Sequence, residues 1–133
     1  RTIIERAAVR VFAEVADAKV FDGLAAAHAA LIARIESAGL DADALVELER
    51  LEVALHGSIV DSLDNPLIES SYRRIHNYLR LVRLERKLTP PIALKSLREH
   101  VAIISACAAR DADAADAAVR VHFAAAFQRH LGM

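Results

Sequence analysis

Helix breakers are scarce in this chain. Its 133 residues include four glycines and three prolines, and the prolines fall at only two places, Pro66 and the pair Pro90 and Pro91. A domain built from strands needs many tight turns, and these residues supply few. Apolar positions instead recur three and four residues apart nearly throughout, with no stretch of period-two alternation. The pattern predicts an all-α protein, an antiparallel bundle of about six helices. The first spans roughly Thr2 to Ala16, with Ile4, Ala8, Val11, Phe12 and Val15 on one side. The second runs from about Phe21 to Ser37, ending near Gly39, and Asp41 or Asp43 can cap the third, about Ala44 to Leu63. Asn65 and Pro66 suit the start of a fourth helix reaching about Lys87. The TPP run at 89–91 stops the chain. A fifth helix spans about Ile92 to Ala109, and RDAD at 110–113 breaks and recaps before a sixth that reaches about His130.

A chain of this length with 55% hydrophobic residues fits one domain over 1–133, burying about 68% of the surface its unfolded form exposes. Cys107, the only cysteine, cannot form an internal bridge and reads as a small buried residue in a reducing compartment. No window approaches about 18 uninterrupted apolar residues, so no membrane span is expected. The opening RTIIERAAVRVF lacks the regions of a signal peptide, which makes the cytoplasm the expected location. Its abrupt start suggests a chain cut at a domain boundary. A formal charge of −1, from 17 basic and 18 acidic residues, lacks the cationic excess needed to hold a phosphate backbone.

Several polar residues fall where the helical pattern calls for apolar ones. On the third helix, Leu45, Leu48, Glu52, Leu55, Ile59 and Leu63 form one face, and His56 follows Glu52 by one turn. On the fifth, His100 belongs to the stripe Leu97, His100, Ile104 and Cys107. On the sixth, His122 lies within Ala115, Val119, His122 and Ala126, beside Phe123. A buried carboxylate without a partner costs several kcal/mol, on the order of 3–5, and a buried imidazole needs both nitrogens satisfied. A shared divalent cation resolves both demands, with nitrogen ligands about 2.0–2.1 Å from zinc. Taken singly, each histidine also reads as a hydrogen-bonded core or surface imidazole, and Glu52 with His56 as an ordinary helix pair. Helical phase leaves open whether the faces meet.

The same segments resemble a known family. RTIIERAAVRVFAEV, LERLEVALHGSIVDSLDNPLI and SLREHVAIISACAARDADAADAAVRVHF are similar to the motifs of the FCD effector-binding domain of GntR-type bacterial transcription regulators. The likeness extends over nearly the whole chain. Metal-binding members use the acid and histidine of the third-helix motif, the histidine of Glu-His and a last histidine. By motif position these ligands fall on Glu52, His56, His100 and His122. Glu52 stands where the family usually has aspartate, and Leu55 where it usually has phenylalanine. The extra methylene of Glu52 moves the carboxylate outward by about one bond, which bears on how the metal is held. Members that bind acyl-coenzyme A lack this histidine set, so the resemblance argues against that ligand.

The resemblance implies a sensor in which a small organic acid completes the coordination of a bound metal and alters an attached DNA-binding domain. Zinc is the expected ion, with nickel or manganese as alternatives. Arg1 matches the family's first-helix arginine and is a candidate effector contact, as is Asn77 on the fourth helix. A winged helix-turn-helix, expected N-terminal to such a domain, is absent from these 133 residues, so DNA contact would come only through it. A homodimer follows from the family and from a two-fold operator. His28, His76 and His130 match no ligand motif and are expected at the surface or at helix ends. Tyr72 and Tyr78 are expected to pack with wet hydroxyls. RRIHNYLRLVRLERK reads as a solvated amphipathic helix and a partner surface rather than a DNA surface. Two other functions compete: a metal-dependent enzyme with a three-histidine, one-carboxylate site, and a structural helical interaction module. No further inward acid is evident as a general base, so no enzyme activity is expected.

Overall fold

A computed structural model describes residues 1–84 and 88–130 of the chain. The architecture is all-α, with six helices packed in a bundle: α1 (Thr2–Val15), α2 (Ala18–Ala38), α3 (Ala42–Asp61), α4 (Pro66–Leu84), α5 (Pro90–Ala108) and α6 (Ala112–His130). The expected end of the fourth helix at Lys87 lies outside the described residues, as do the side chains from 82 to 87 and that of His130. None of the described helices is long and apolar enough to cross a membrane.

The helix boundaries follow from local chemistry. Asp17 begins α2 by accepting from the Lys19 backbone N–H, and Gly39 ends it at φ 82°, a left-handed conformation that glycine adopts without a Cβ clash. Asp41 caps α3 through the Ala44 N–H at 2.8 Å. The side-chain oxygen of Asn65 accepts from Leu67 and Ile68, and Pro66 takes the first helical position behind it. Asp111 caps α6 through the Ala114 N–H at 3.0 Å. The TPP run behaves differently from the expectation of a stop followed by a helix at Ile92. Pro90 and Pro91 form the first turn of α5 itself, where the missing N–H groups would have had no helical partner.

The faces that turn inward also differ in places from the expected ones. α1 buries Glu5, Ala8, Val9, Phe12 and Ala13, while Val15 is 66% exposed. On α3, Leu45 is exposed, and the buried face is carried by Ala44, Leu51, Leu55, His56, Ile59 and Val60. The α5 stripe Leu97, His100, Ile104 and Cys107 is buried throughout. Burial pushes the Cys107 thiol up to about 11, so at neutral pH it is an apolar packing group.

The core consists of two apolar clusters. One gathers Phe12, Phe21, Leu24, Leu55, Ile59, Ile103, Ile104, Cys107 and Val119 with smaller residues of α1 and α6, and the Phe12 and Phe21 rings meet edge to face at 5.1 Å. The other holds Leu31, Ile35, Ala44, Leu51, Ala93 and Leu97 from α2, α3 and α5. Between them, in mid-helix on α2, α3, α5 and α6, lie His28, His56, His100 and His122, all buried. α1 packs on α3, α5 and α6, α2 on α3 and α5, whereas α4 packs against α3. The bundle is fastened outside this layer by Arg110, which donates to the carbonyls of Ala13 and Ala16 at the end of α1. Asp116 of α6 also ties Arg6 and Arg10 of α1.

Candidate metal centre

Each of the three histidines in question is held from behind through Nδ1. His56 Nδ1 makes a short contact with the Glu5 carboxylate, which reaches across from α1 and is itself fully buried. His122 Nδ1 lies 2.6 Å from Glu99 Oε1, and Arg129 grips the same carboxylate through two nitrogens at 2.9 and 3.1 Å. His100 Nδ1 meets His28 Nε2 at 3.1 Å. With every Nδ1 engaged, Nε2 of each ring remains for the centre.

The centre is correspondingly tight. His56 Nε2 and His100 Nε2 lie 3.3 Å apart. Glu52 places Oε1 at 3.4 Å from His56 Nε2 and Oε2 at 3.2 Å from His100 Nε2. Ligand atoms about 2.1 Å from one ion, at tetrahedral to octahedral angles, stand about 3.0–3.4 Å from each other. The spacing among Glu52, His56 and His100 already has those dimensions. Glu52, His56, His100 and His122 each offer one ligand atom, and these atoms lie within 4.8 Å of one another. The donor set of three imidazole nitrogens and one carboxylate fits a borderline divalent metal.

The electrostatics of the layer are uneven. Burial opposes a charge on His56, but Glu5 and Glu52 on either side outweigh it and raise the imidazole to about 9. Burial, only partly countered by Glu52, brings His100 down to about 4. Burial likewise lowers His28, whose nearest polar partner is a backbone carbonyl. Glu52 is disfavoured by burial yet held well below the ordinary carboxylate range by the charge of His56 and close contact with both imidazoles. Glu5 is lowered against its burial by His56 and Arg1. Glu99 is brought to about 2, against its burial, by its bonds to His122 and Arg129.

A comparison with protein families matches the FCD domain over residues 1–125. The chain belongs to the FCD family. An FCD domain is the effector-binding domain of GntR regulators. No curated protein and no solved structure matches the chain.

The two candidate effector contacts of this FCD domain stand in different surroundings. Arg1 donates to Glu5 at 3.0 Å, to Glu52 at 3.1 Å and to the Tyr72 hydroxyl at 3.4 Å, and its guanidinium lies over the Phe123 ring at 5.1 Å. It therefore borders the centre. Asn77 is exposed on α4 and lines a groove of about 570 Å³ between α3 and α4, together with Glu49, Tyr72, His76 and Arg80. None of the four candidate ligands lines that groove.

Two expectations about other histidines are corrected. His28 is fully buried and His76 is 6% exposed, so neither sits at the surface. His28 joins the layer because Phe21, Leu24, His28, Leu31 and Ile35 form the buried stripe of α2. His76 is covered by Tyr72, whose ring stacks on it at 6.1 Å, and contacts Glu49 at 3.2 Å. Tyr72 is itself buried, while Tyr78 is 67% exposed. Of the two acids that steady candidate ligands, Glu99 stands in the sequence only as the acid of Glu-His, and Glu5 belongs to no ligand motif. Their roles depend on α1 and α6 lying against α3 and α5.

Proposed function

We propose that this FCD domain is a metal-dependent sensor of a small organic acid and serves a transcription regulator. The observation that carries the reading is the convergence of the Glu52 carboxylate with the His56, His100 and His122 rings, whose ligand atoms lie within 4.8 Å of one another, each ring fixed from behind. Glu52, His56, His100 and His122 would hold a divalent ion, zinc first, with nickel or manganese also compatible with the donors. When bound, that ion supplies a Lewis-acidic seat for an oxygen donor. The extra methylene of Glu52 relative to aspartate lets its carboxylate engage through one oxygen or two.

The charges favour an anionic effector. Glu5, Glu52 and Glu99 are balanced in part by Arg1 and Arg129, leaving one negative charge, which a divalent ion turns into one positive charge. A monocarboxylate restores neutrality. Arg1 stands at the rim, between Glu52 and Tyr72, and offers its guanidinium to a carboxylate at the cost of its bond to Glu52. Since Arg1 opens α1, the exchange would bear on the helix that an N-terminal DNA-binding domain would adjoin. An effector controls DNA binding only through different affinities for two arrangements of the domain. Dimerisation, a cytoplasmic location and DNA contact through a winged helix-turn-helix belong to the same proposal. The layer's acids are engaged in holding imidazoles and guanidiniums, which favours a sensor over a hydrolytic enzyme.

Calorimetric titration of the zinc-loaded protein with short hydroxycarboxylates tests the reading. Binding should require the metal and should vanish in His100→Ala, which keeps the helical content. Equal binding to metal-free protein, or metal binding with no response to any carboxylate, would leave a structural module as the better description. A coding sequence for a basic domain of roughly 70 residues upstream of Arg1 would support the regulator.

A further inference from the structure

His28 is the one member of the histidine layer that the proposed coordination leaves unused, and it is fully buried. Its two ring nitrogens have unlike neighbours. Nδ1 lies 2.7 Å from the carbonyl oxygen of Leu24, one turn earlier on α2. Nε2 lies 3.1 Å from Nδ1 of His100, and the two rings stand edge to face with centroids 5.2 Å apart.

These contacts dictate where the protons are. A carbonyl oxygen can only accept, so His28 Nδ1 carries the hydrogen. Both ring nitrogens meet uncharged groups, and burial outweighs the more distant Glu52 and Glu47 carboxylates, so the ring is neutral and keeps its lone pair on Nε2. That lone pair needs a donor, which only His100 Nδ1–H supplies. His100 must then present a lone pair at Nε2. There it faces Glu52 Oε2 at 3.2 Å, an arrangement of two acceptors that a cation between them makes favourable. The backbone of α2 thus sets the tautomer of a side chain on α5 through one intervening imidazole.

We propose that His28 is the positioning residue that fixes His100 in the tautomer and orientation needed to bind a divalent metal through Nε2. The proposal rests on the metal reading above. It assigns α2 a part in the centre although α2 contributes no ligand. It also distinguishes His100 from His56 and His122, whose outer nitrogens are held by carboxylates. A neutral imidazole steers its partner without adding negative charge behind the ligand.

The test combines two variants with a measurement on the wild type. Zinc affinity is determined by chelator competition. His28→Leu keeps the volume and removes the acceptor, and should weaken zinc roughly ten- to hundredfold. His28→Gln restores an acceptor oxygen and should recover most of the loss. Cobalt absorption bands should stay in place in both variants, because no ligand is lost. Histidine ¹⁵N spectra of wild-type protein loaded with ¹¹³Cd should show cadmium coupling at His100 Nε2, no coupling at His28 and a proton on His28 Nδ1. This arm needs no mutation and decides the matter if His28→Leu fails to fold. Unchanged zinc affinity in folded His28→Leu, a proton on His28 Nε2, or cadmium coupling to His28 would overturn the proposal while leaving the centre intact. A wild type that takes up no zinc, cobalt or cadmium would overturn both.

Discussion

The two halves of the histidine layer use the same side chain in opposite states. On the α1 and α3 side, His56 sits between Glu5 and Glu52 and is raised to about 9. On the α2 and α5 side, His100 rests against His28 and falls to about 4. Their rings are 5.1 Å apart. Burial is nearly the same for both, so the difference comes from the charges around them: His56 lies between two carboxylates, whereas His100 faces one, has a neutral imidazole behind its Nδ1 and is opposed by the charge of His56. Without a metal, the imidazolium of His56 joins Arg1 in balancing the buried Glu5 and half-buried Glu52 carboxylates. With one, that proton must leave, and the ion takes over its electrostatic role. The half built on His100 is already in its metal-binding state, whereas the half built on His56 must be converted.

Removing the two histidines in turn should break the symmetry most visibly. In metal-free protein at pH 7, His56→Ala leaves Glu5 and Glu52 with Arg1 but without the imidazolium between them and should cost about 3–5 kcal/mol. His100→Ala leaves the His28 acceptor unmet and should cost about 1–3 kcal/mol. Urea denaturation measures both, and equal losses would mean that the halves are not electrostatically distinct.

The next largest effect lies in metal binding against pH. Zinc uptake at pH 7 should release the proton held by His56, whereas His100, already neutral, gives up none. Affinity should therefore rise about tenfold per pH unit, roughly a hundredfold between pH 7 and 9, and then level off. Glu5→Gln should shift that plateau downward by more than about one unit. Calorimetry in buffers of different ionisation enthalpy reads the proton directly.

A smaller effect is expected in the thermal stability of metal-free protein. His56 holds its proton more tightly folded than unfolded, so its contribution is complete below about 6.5 and is lost as the pH rises towards 9. His100 behaves in the opposite sense: the unfolded chain takes up a proton first, and stability is lost as the pH falls from 6.5 towards 4. Glu5 and Glu52, lowered when folded, add to the loss as the pH falls below about 4.5. The melting temperature should peak near pH 6.5, and zinc should move the peak upward. As a control of least effect, Asp116→Asn breaks the half-exposed Arg6 and Arg10 cluster. It should cost at most about 1 kcal/mol and leave zinc affinity unchanged.

Much of this layer could be read from the chain. The helix count, the caps at Asp41 and Asn65 and the inward phase of His100 and His122 follow from spacing and turn chemistry alone. The remaining features are hidden for a common reason. Glu5 occupies the buried face of α1, and a glutamate there breaks the apolar periodicity, so the pattern points to a face with Ile4 and Val15 instead. His28 interrupts the regular stripe of Phe21, Leu24, Leu31 and Ile35, a signal of the same kind as that of His100, but no motif singled it out. Glu99 adjoins His100 in sequence yet serves His122, a pairing set by the packing of α5 on α6. The start of α5 at Pro90 rather than Ile92 reflects the ambiguity of proline, which ends one helix and opens another with the same ring.

The central claim is that Glu52, His56, His100 and His122 close around one divalent ion through the Nε2 atoms of the three rings. X-ray absorption at the zinc edge of the loaded protein tests it most directly. One zinc per chain, with three imidazole nitrogens and carboxylate oxygen at about 2.0–2.1 Å, is the predicted result. A sulfur neighbour at about 2.3 Å, or a shell with fewer than three imidazoles, would contradict it.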